Sequence, residues 1–269
     1  MIALVDELLA RLAKGQEGVL VRVHSTQGSA PREAGTWMAV WQDELTGTIG
    51  GGQLEFQATQ EARTWLDGGT PMDGVRRYPL GPSLGQCCGG VVYLTYQRIG
   101  EADIAALRKE LIAHLHPVAL FGGGHVGHAL ARLLCTLPFS VRWVDSRDGV
   151  FPAALPVQIE TEHSEPVQDA VGQLDTGSRV LIMSFSHAED LDIVIACLKR
   201  QREKGDLPYI GLIGSKTKWA TFRHRLEARG FTEAEMDHVT CPIGVPGIKG
   251  KEPEVIAVAV AAQLLQSLS

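Results

Sequence analysis

VALFGGGHVGHALARLL, residues 118–134, passes from an unbroken apolar run through a glycine cluster into apolar residues spaced three and four apart. A short apolar run bounded by glycine reads as a buried strand, and the spacing behind it as one face of a helix. Gly122, Gly124 and Gly127 complete a G-x-G-x-x-G pattern between the two. In such a turn the first glycine permits the tight backbone, the second admits a phosphate, and the third lets helix and strand pack. The helix start adds free N–H groups and the positive end of its dipole. Asp145 closes the next apolar run, VRWVD (141–145), where this kind of domain places a carboxylate for a ribose. NAD or another nucleotide is therefore one candidate ligand.

Working outward, strand-like runs recur at 118–122, 141–145, 156–160, 179–185 and 209–214, with helical periodicity between them and a final helix in EPEVIAVAVAAQLLQSL. Alternating strands and helices predict a parallel sheet covered on both faces. The fold class expected is α/β: a C-terminal Rossmann-like parallel-sheet domain with a smaller N-terminal α+β domain. The boundaries expected are 1–99 for the first domain, 100–116 for a connecting helix and 117–269 for the second. His187 lies in FSHAED just beyond the fourth strand, where doubly wound sheets bind ligands, and is a candidate contact. His125 and His128 read as helix surface.

In the N-terminal part, GVLVRV (18–23), TWMAVW (36–41) and VVYLTYQRI (91–99) read as strands. Gly50, Gly51 and Gly52 form a second glycine loop feeding a helix, whose Leu54, Ala58, Ala62 and Leu66 share a face. LGQCCGG (84–90) sets Cys87 and Cys88 between glycines. Loop thiols of this sort are open to three readings: small residues in a tight turn, soft metal ligands, or sulfur-handling nucleophiles. Cys135 and Cys197 sit on apolar helix faces and read as core.

Five cysteines without paired zinc spacing predict reduced thiols. A net charge of −6 argues against a nucleic-acid or anionic-membrane surface, which would need clustered Lys and Arg. No apolar run approaches bilayer length, and MIALVDELLARLAKG lacks a basic leader region, so a cytoplasmic location is expected.

Several of these segments occur together and in order: GSAPREAGTWMAV (28–40), GTIGGGQLE (47–55), Cys88-Gly89-Gly90, FGGGHVG (121–127) with VDSR (144–147), SFSHAEDLD (184–192), GLIGSKTK (211–218) and CPIGVPGIKGKEPEVIAVAVAAQLL (241–265). In this conjunction the chain resembles the xanthine dehydrogenase accessory factor family, XdhC/CoxI, over nearly its whole length. The resemblance implies a chaperone, not a turnover enzyme. Such a chaperone binds molybdenum cofactor (molybdopterin), helps a cysteine desulfurase replace an oxo ligand by sulfido, and delivers the product to xanthine dehydrogenase or a related molybdenum hydroxylase. It implies that Cys88 handles the metal or its sulfur, that Gly50, Gly51, Gly52 and Gln53 shape the adjacent pocket, and that the 122–127 turn holds a phosphate. Cys87 is an extra cysteine relative to the family pattern. The rival readings are an NAD(P)-dependent oxidoreductase and a non-catalytic docking scaffold. A second copy of the chain is a further candidate partner.

Overall fold

The N-terminal amphipathic stretch forms helix α1 (Ile2–Ala13), with Leu8 and Leu12 fully buried. This computed structural model describes residues 2–72, 74–80, 90–113 and 115–268. Cys87, Cys88 and Gly89 lie outside the described residues. The chain divides into two units, 3–111 and 112–269.

In the first unit, β1 (Gly18–Gln27), β2 (Trp37–Val40), β3 (Leu45–Gly47), α2 (Gly52–Leu66), β4 (Val75–Pro79) and β5 (Val91–Ile99) are followed by a 3₁₀ turn and α3 (Ile104–Ala113). The strands make one antiparallel sheet in the order β3-β2-β1-β5-β4. Alternation along β1 sends Val19, Val21 and Val23 to one face. There they pack with Leu54, Ala58 and Ala62, the stripe that the helical spacing of α2 exposes to the sheet. The middle of α1 is tied to the sheet by a relay that starts buried: Trp41 Nε1 donates to Thr46 Oγ1 (3.0 Å), which donates to Glu7 (2.8 Å).

Two strands here were not expected from sequence. β3 hides in TGTIGGG because it is three residues long and runs straight into the glycines. β4, VRRYP, carries two arginines and buries only Tyr78, so no alternating apolar pattern marks it. The helix expected over 100–116 is shorter, and His116 and Pro117 belong to the following strand.

The second unit runs β6 (His116–Phe121), α4 (His125–Leu134), β7 (Phe139–Asp145), β8 (Ile159–His163), β9 (Arg179–Ile182), α5 (His187–Lys204), β10 (Tyr209–Leu212), α6 (Lys216–Glu227), α7 (Glu233–Met236), β11 (Val239–Thr240) and α8 (Pro253–Gln266). Its six parallel strands lie in the order β11-β10-β9-β6-β7-β8. Counted from β6 this is 6-5-4-1-2-3, the doubly wound Rossmann order. Alternation again sorts the core. Val118 and Leu120 face α4 and α8, while Ala119 and Phe121 face α5 and α6.

The α/β reading therefore holds, with two corrections to strand bounds and one added strand. The run placed at 156–160 becomes a strand only from Ile159, because Ile159 N turns back to Pro156 O (3.0 Å). The run placed at 179–185 ends at Ile182, since the Ser184 amide donates to the Asp190 side chain. β11, two residues long, carries too little pattern to be seen in sequence.

Candidate functional site

The chain leaves β6 to α4 on one side and reaches β9 on the other, so the sheet's switch point lies between those two strands. Ligands of doubly wound sheets bind beyond the carboxyl ends at this point. The glycines of the turn there have separate duties. Gly122 has φ +122°, and a Cβ on it would sit 2.0 Å from Met183 O. A Cβ on Gly127 would sit 2.1 Å from Gly122 O. Both are demanded by packing. Gly124 differs: it is exposed, has an ordinary φ of −81°, and its Cβ position is open space. It is the N-cap of α4 and offers no side-chain cap, which leaves first-turn amides facing the opening.

Asp145 ends β7 beside this turn and is 2% exposed. Gly123 N donates to its Oδ2 (2.5 Å), Arg147 N and Nε donate to Oδ1 (both 2.9 Å), and Arg147 Nη2 donates to Oδ2 (2.9 Å). Burial alone would raise the Asp145 pKa, but the Arg147 side chain and the two amides hold it below the ordinary range. The guanidinium in turn stacks on Phe185, 4.5 Å from ring centroid to Cζ. Phe185 is a large apolar side chain left 67% exposed at the end of β9. Glu189, in the first turn of α5, accepts from Ser146 Oγ (2.7 Å) and from Phe185 N (3.2 Å), so one carboxylate fixes both lips of the crevice.

Behind Phe185 lies a buried polar cluster. Asp190 accepts from Ser184 N (2.9 Å) and Oγ (2.7 Å) and pairs with Lys218 Nζ (2.6 Å), which also donates to Ile213 O (2.8 Å). Cys241 is half-buried close by, and burial pushes its thiol up to about 11 despite the Lys218 charge. Cys197 is fully buried and pushed up to about 12 by burial. Neither is a thiolate near neutral pH. His187 is the first residue of α5 and is exposed, as is His125; His128 Nε2 lies 3.1 Å from Val150 O with its ring edge-on to Trp143.

In the first unit Gly50 and Gly90 both come close to the segment around Ser29 and Pro31. Gly50 has φ +121°, and a Cβ there would lie 2.8 Å from Pro31. A Cβ on Gly90 would lie 2.2 Å from Ser29 O. Hence Gly90 packs against the backbone at 27–29, and Gly50 against the Pro31 ring. Gly52 and Gln53 are exposed there. The amides of Ile49 (3.0 Å) and Gly51 (3.1 Å), with the Thr48 hydroxyl (2.5 Å), all donate to Glu55 Oε2. The anion in this loop is the chain's own carboxylate. Nearby, Tyr78 and Tyr96 both donate to Glu61 and contact each other at 2.5 Å. Burial, first of all, raises both phenols well above their usual range, so they act as neutral donors. Among the described residues no group of three His, Cys, Asp or Glu side chains could hold a metal ion. Cys88, proposed for that role from sequence, lies outside them.

Sequence reading singled out Gly122, Gly124, Gly127, Asp145 and His187, and all five belong to the β6, β7 and β9 ends. It missed Arg147, Phe185 and Glu189. Arg147 was within view in VDSR, since a guanidinium two residues beyond a carboxylate can reach back to it. Glu189 and Phe185 needed the three-dimensional pairing of β6 with β9.

Comparison with known proteins agrees with this two-part architecture. The XdhC Rossmann domain model matches residues 118–264, and the XdhC and CoxI family model matches residues 11–79. An uncharacterised protein of Escherichia coli K12, YqeB, is 24% identical over 250 residues, covering 92% of this chain and 43% of YqeB. The chain thus spans less than half the length of that curated relative. A crystal structure described as a xanthine dehydrogenase from Bacillus halodurans superposes with a TM-score of 0.71 at 20% identity, covering 98% of this chain and 95% of that one. That likeness concerns the fold. No helix among the described residues is long and apolar enough to cross a membrane. With one family model over the glycine turn and its sheet and the other over the first unit, the chain belongs to the XdhC and CoxI family.

Proposed function

We propose that this chain is an accessory factor for a xanthine dehydrogenase-type molybdenum hydroxylase. Its cargo is molybdenum cofactor, which it holds while a cysteine desulfurase supplies the sulfur that replaces an oxo ligand, and which it then passes to the apo-enzyme in the cytoplasm. The observation that carries this reading is the Gly124 opening: a family Rossmann turn whose α4 N-cap carries no side-chain cap and whose Gly124 Cβ position has no neighbouring atom within 4 Å. A phosphate monoester, which molybdopterin bears, suits that opening. The cargo's metal calls for a soft ligand, and Cys88 is assigned to it. Gly50, Gly51, Gly52 and Gln53 are assigned to the pterin side. Glu55 already serves the amides of Ile49 and Gly51, so the phosphate goes to the α4 turn and not to the α2 loop.

The test is activation of a partner. Apo-hydroxylase incubated with cofactor-loaded chain, a cysteine desulfurase and cysteine should gain activity well above that given by the same amount of free cofactor. The Cys88→Ser variant, lacking the soft ligand, should retain less cofactor and activate the partner less. Activation no greater than with free cofactor would refute the chaperone reading. Full activation by Cys88→Ser would remove Cys88 from it.

A further inference from the structure

We propose that Arg147 sets the ligand chemistry of the switch-point crevice, selecting a phosphate monoester and refusing an unphosphorylated ribose. This rests on the reading of that crevice as a ligand site, and adds which chemistry it accepts. A carboxylate offers about four lone-pair positions. At Asp145 four donors already fill them: Gly123 N, Arg147 N, Arg147 Nε and Arg147 Nη2. A ribose diol, the usual guest of a carboxylate at this position, would have to displace a charge-assisted hydrogen bond from a buried group.

The arginine that occupies Asp145 also replaces it as the recognition group. Its side chain is 36% exposed, and among the described residues no hydrogen bond uses Nη1. The Asp145 fork and the Phe185 ring fix the guanidinium plane before any ligand arrives, so little further ordering is needed when an anion docks. Glu189 is the nearby opposing charge, and both its oxygens are engaged by Ser146 and Phe185. Beside the guanidinium, Phe185 leaves an exposed aromatic face suited to a planar heterocycle. The chemistry selected is thus a phosphate monoester on a molecule with a planar ring. A 2′-phosphorylated dinucleotide and a phosphorylated pterin both carry it.

The experiment measures the shift in melting temperature, and from titration the Kd, for NAD, NADP, a pterin bearing a phosphate monoester, and inorganic phosphate. The proteins are the wild-type full chain, Arg147→Ala and Arg147→Lys. Wild type is expected to be stabilised by NADP, by the pterin phosphate or by both, and not by NAD at the same concentration. Arg147→Ala should weaken the phosphorylated probe at least roughly tenfold, the loss of one charged hydrogen bond. It should also begin to bind NAD, because Asp145 is released. Arg147→Lys keeps a cation without the fork and serves if the alanine variant does not fold; it should also lose selectivity for phosphate. Response to NADP alone identifies a dinucleotide source, and response to the pterin alone a cofactor source. Equal binding of NAD and NADP by wild type, or unchanged phosphate selectivity in both variants, would overturn the role of Arg147 while leaving the crevice as a site. Failure of every probe to bind any of the three proteins would overturn the crevice reading as well.

Discussion

Gly122→Ala is expected to lower the unfolding free energy of the second unit by about 3–5 kcal/mol, as strained backbone and overpacking add, and Gly127→Ala by about 1–3 kcal/mol from overpacking alone. At Gly122 the new methyl would meet a backbone carbonyl at 2.0 Å, and φ of +122° lies outside what alanine accepts. At Gly127 the clash is with Gly122 O at 2.1 Å. In neither case can a flexible side chain swing aside. Gly124→Ala faces open space and an ordinary φ, so it should cost about 1 kcal/mol or less, the price of an N-cap change. Denaturant midpoints at constant m-value test this. If all three variants lost the same stability, the separation of packing glycines from a ligand-facing one would be wrong.

The second large effect belongs to Asp190 and Lys218. Their side chains are 3% and 10% exposed, so removing one partner leaves a charge buried without its counterpart. Such a change costs about 3–5 kcal/mol, whereas replacing both with apolar residues costs far less. Lys218→Met and Asp190→Leu should therefore each be severely destabilised, and the double variant should recover much of the loss. Asp190→Leu is expected to be the worse single change, because Ser184 N and Oγ lose their acceptor too. Thermal unfolding of the three variants measures the coupling. Additive losses would mean that the pair is not a unit.

How much of this was legible in the sequence depends on the range of the interaction. The Rossmann half was readable because buried parallel strands are continuous apolar runs and its glycine turn is local. The strands missed, β3, β4 and β11, are short or polar, and pairing partners far along the chain define them. The same distinction holds at the site. Gly122, Gly127 and Asp145 follow from a motif within one strand-turn-helix unit. That Asp145 is already saturated could not be read from the motif, because a G-x-G-x-x-G with a downstream Asp looks the same whether Arg147 covers the carboxylate or not. Likewise Glu55 fills the amides behind Gly50 through a hydrogen-bond set that glycine counting cannot reveal. Exposure of Phe185 depends on β9 ending at Ile182, three residues before the apolar run does.

In the proposed function, this chain holds molybdenum cofactor with its phosphate at the α4 turn. The most direct measurement is the amount of molybdenum and pterin retained per chain after anaerobic incubation with the cofactor and gel filtration, comparing wild type with Gly124→Val. The valine fills the one open position of the turn while leaving its packing glycines in place. Wild type is expected to retain near-stoichiometric amounts, and a folded Gly124→Val protein only background levels. Absence of retention by wild type, or equal retention by the variant, would contradict the proposed function.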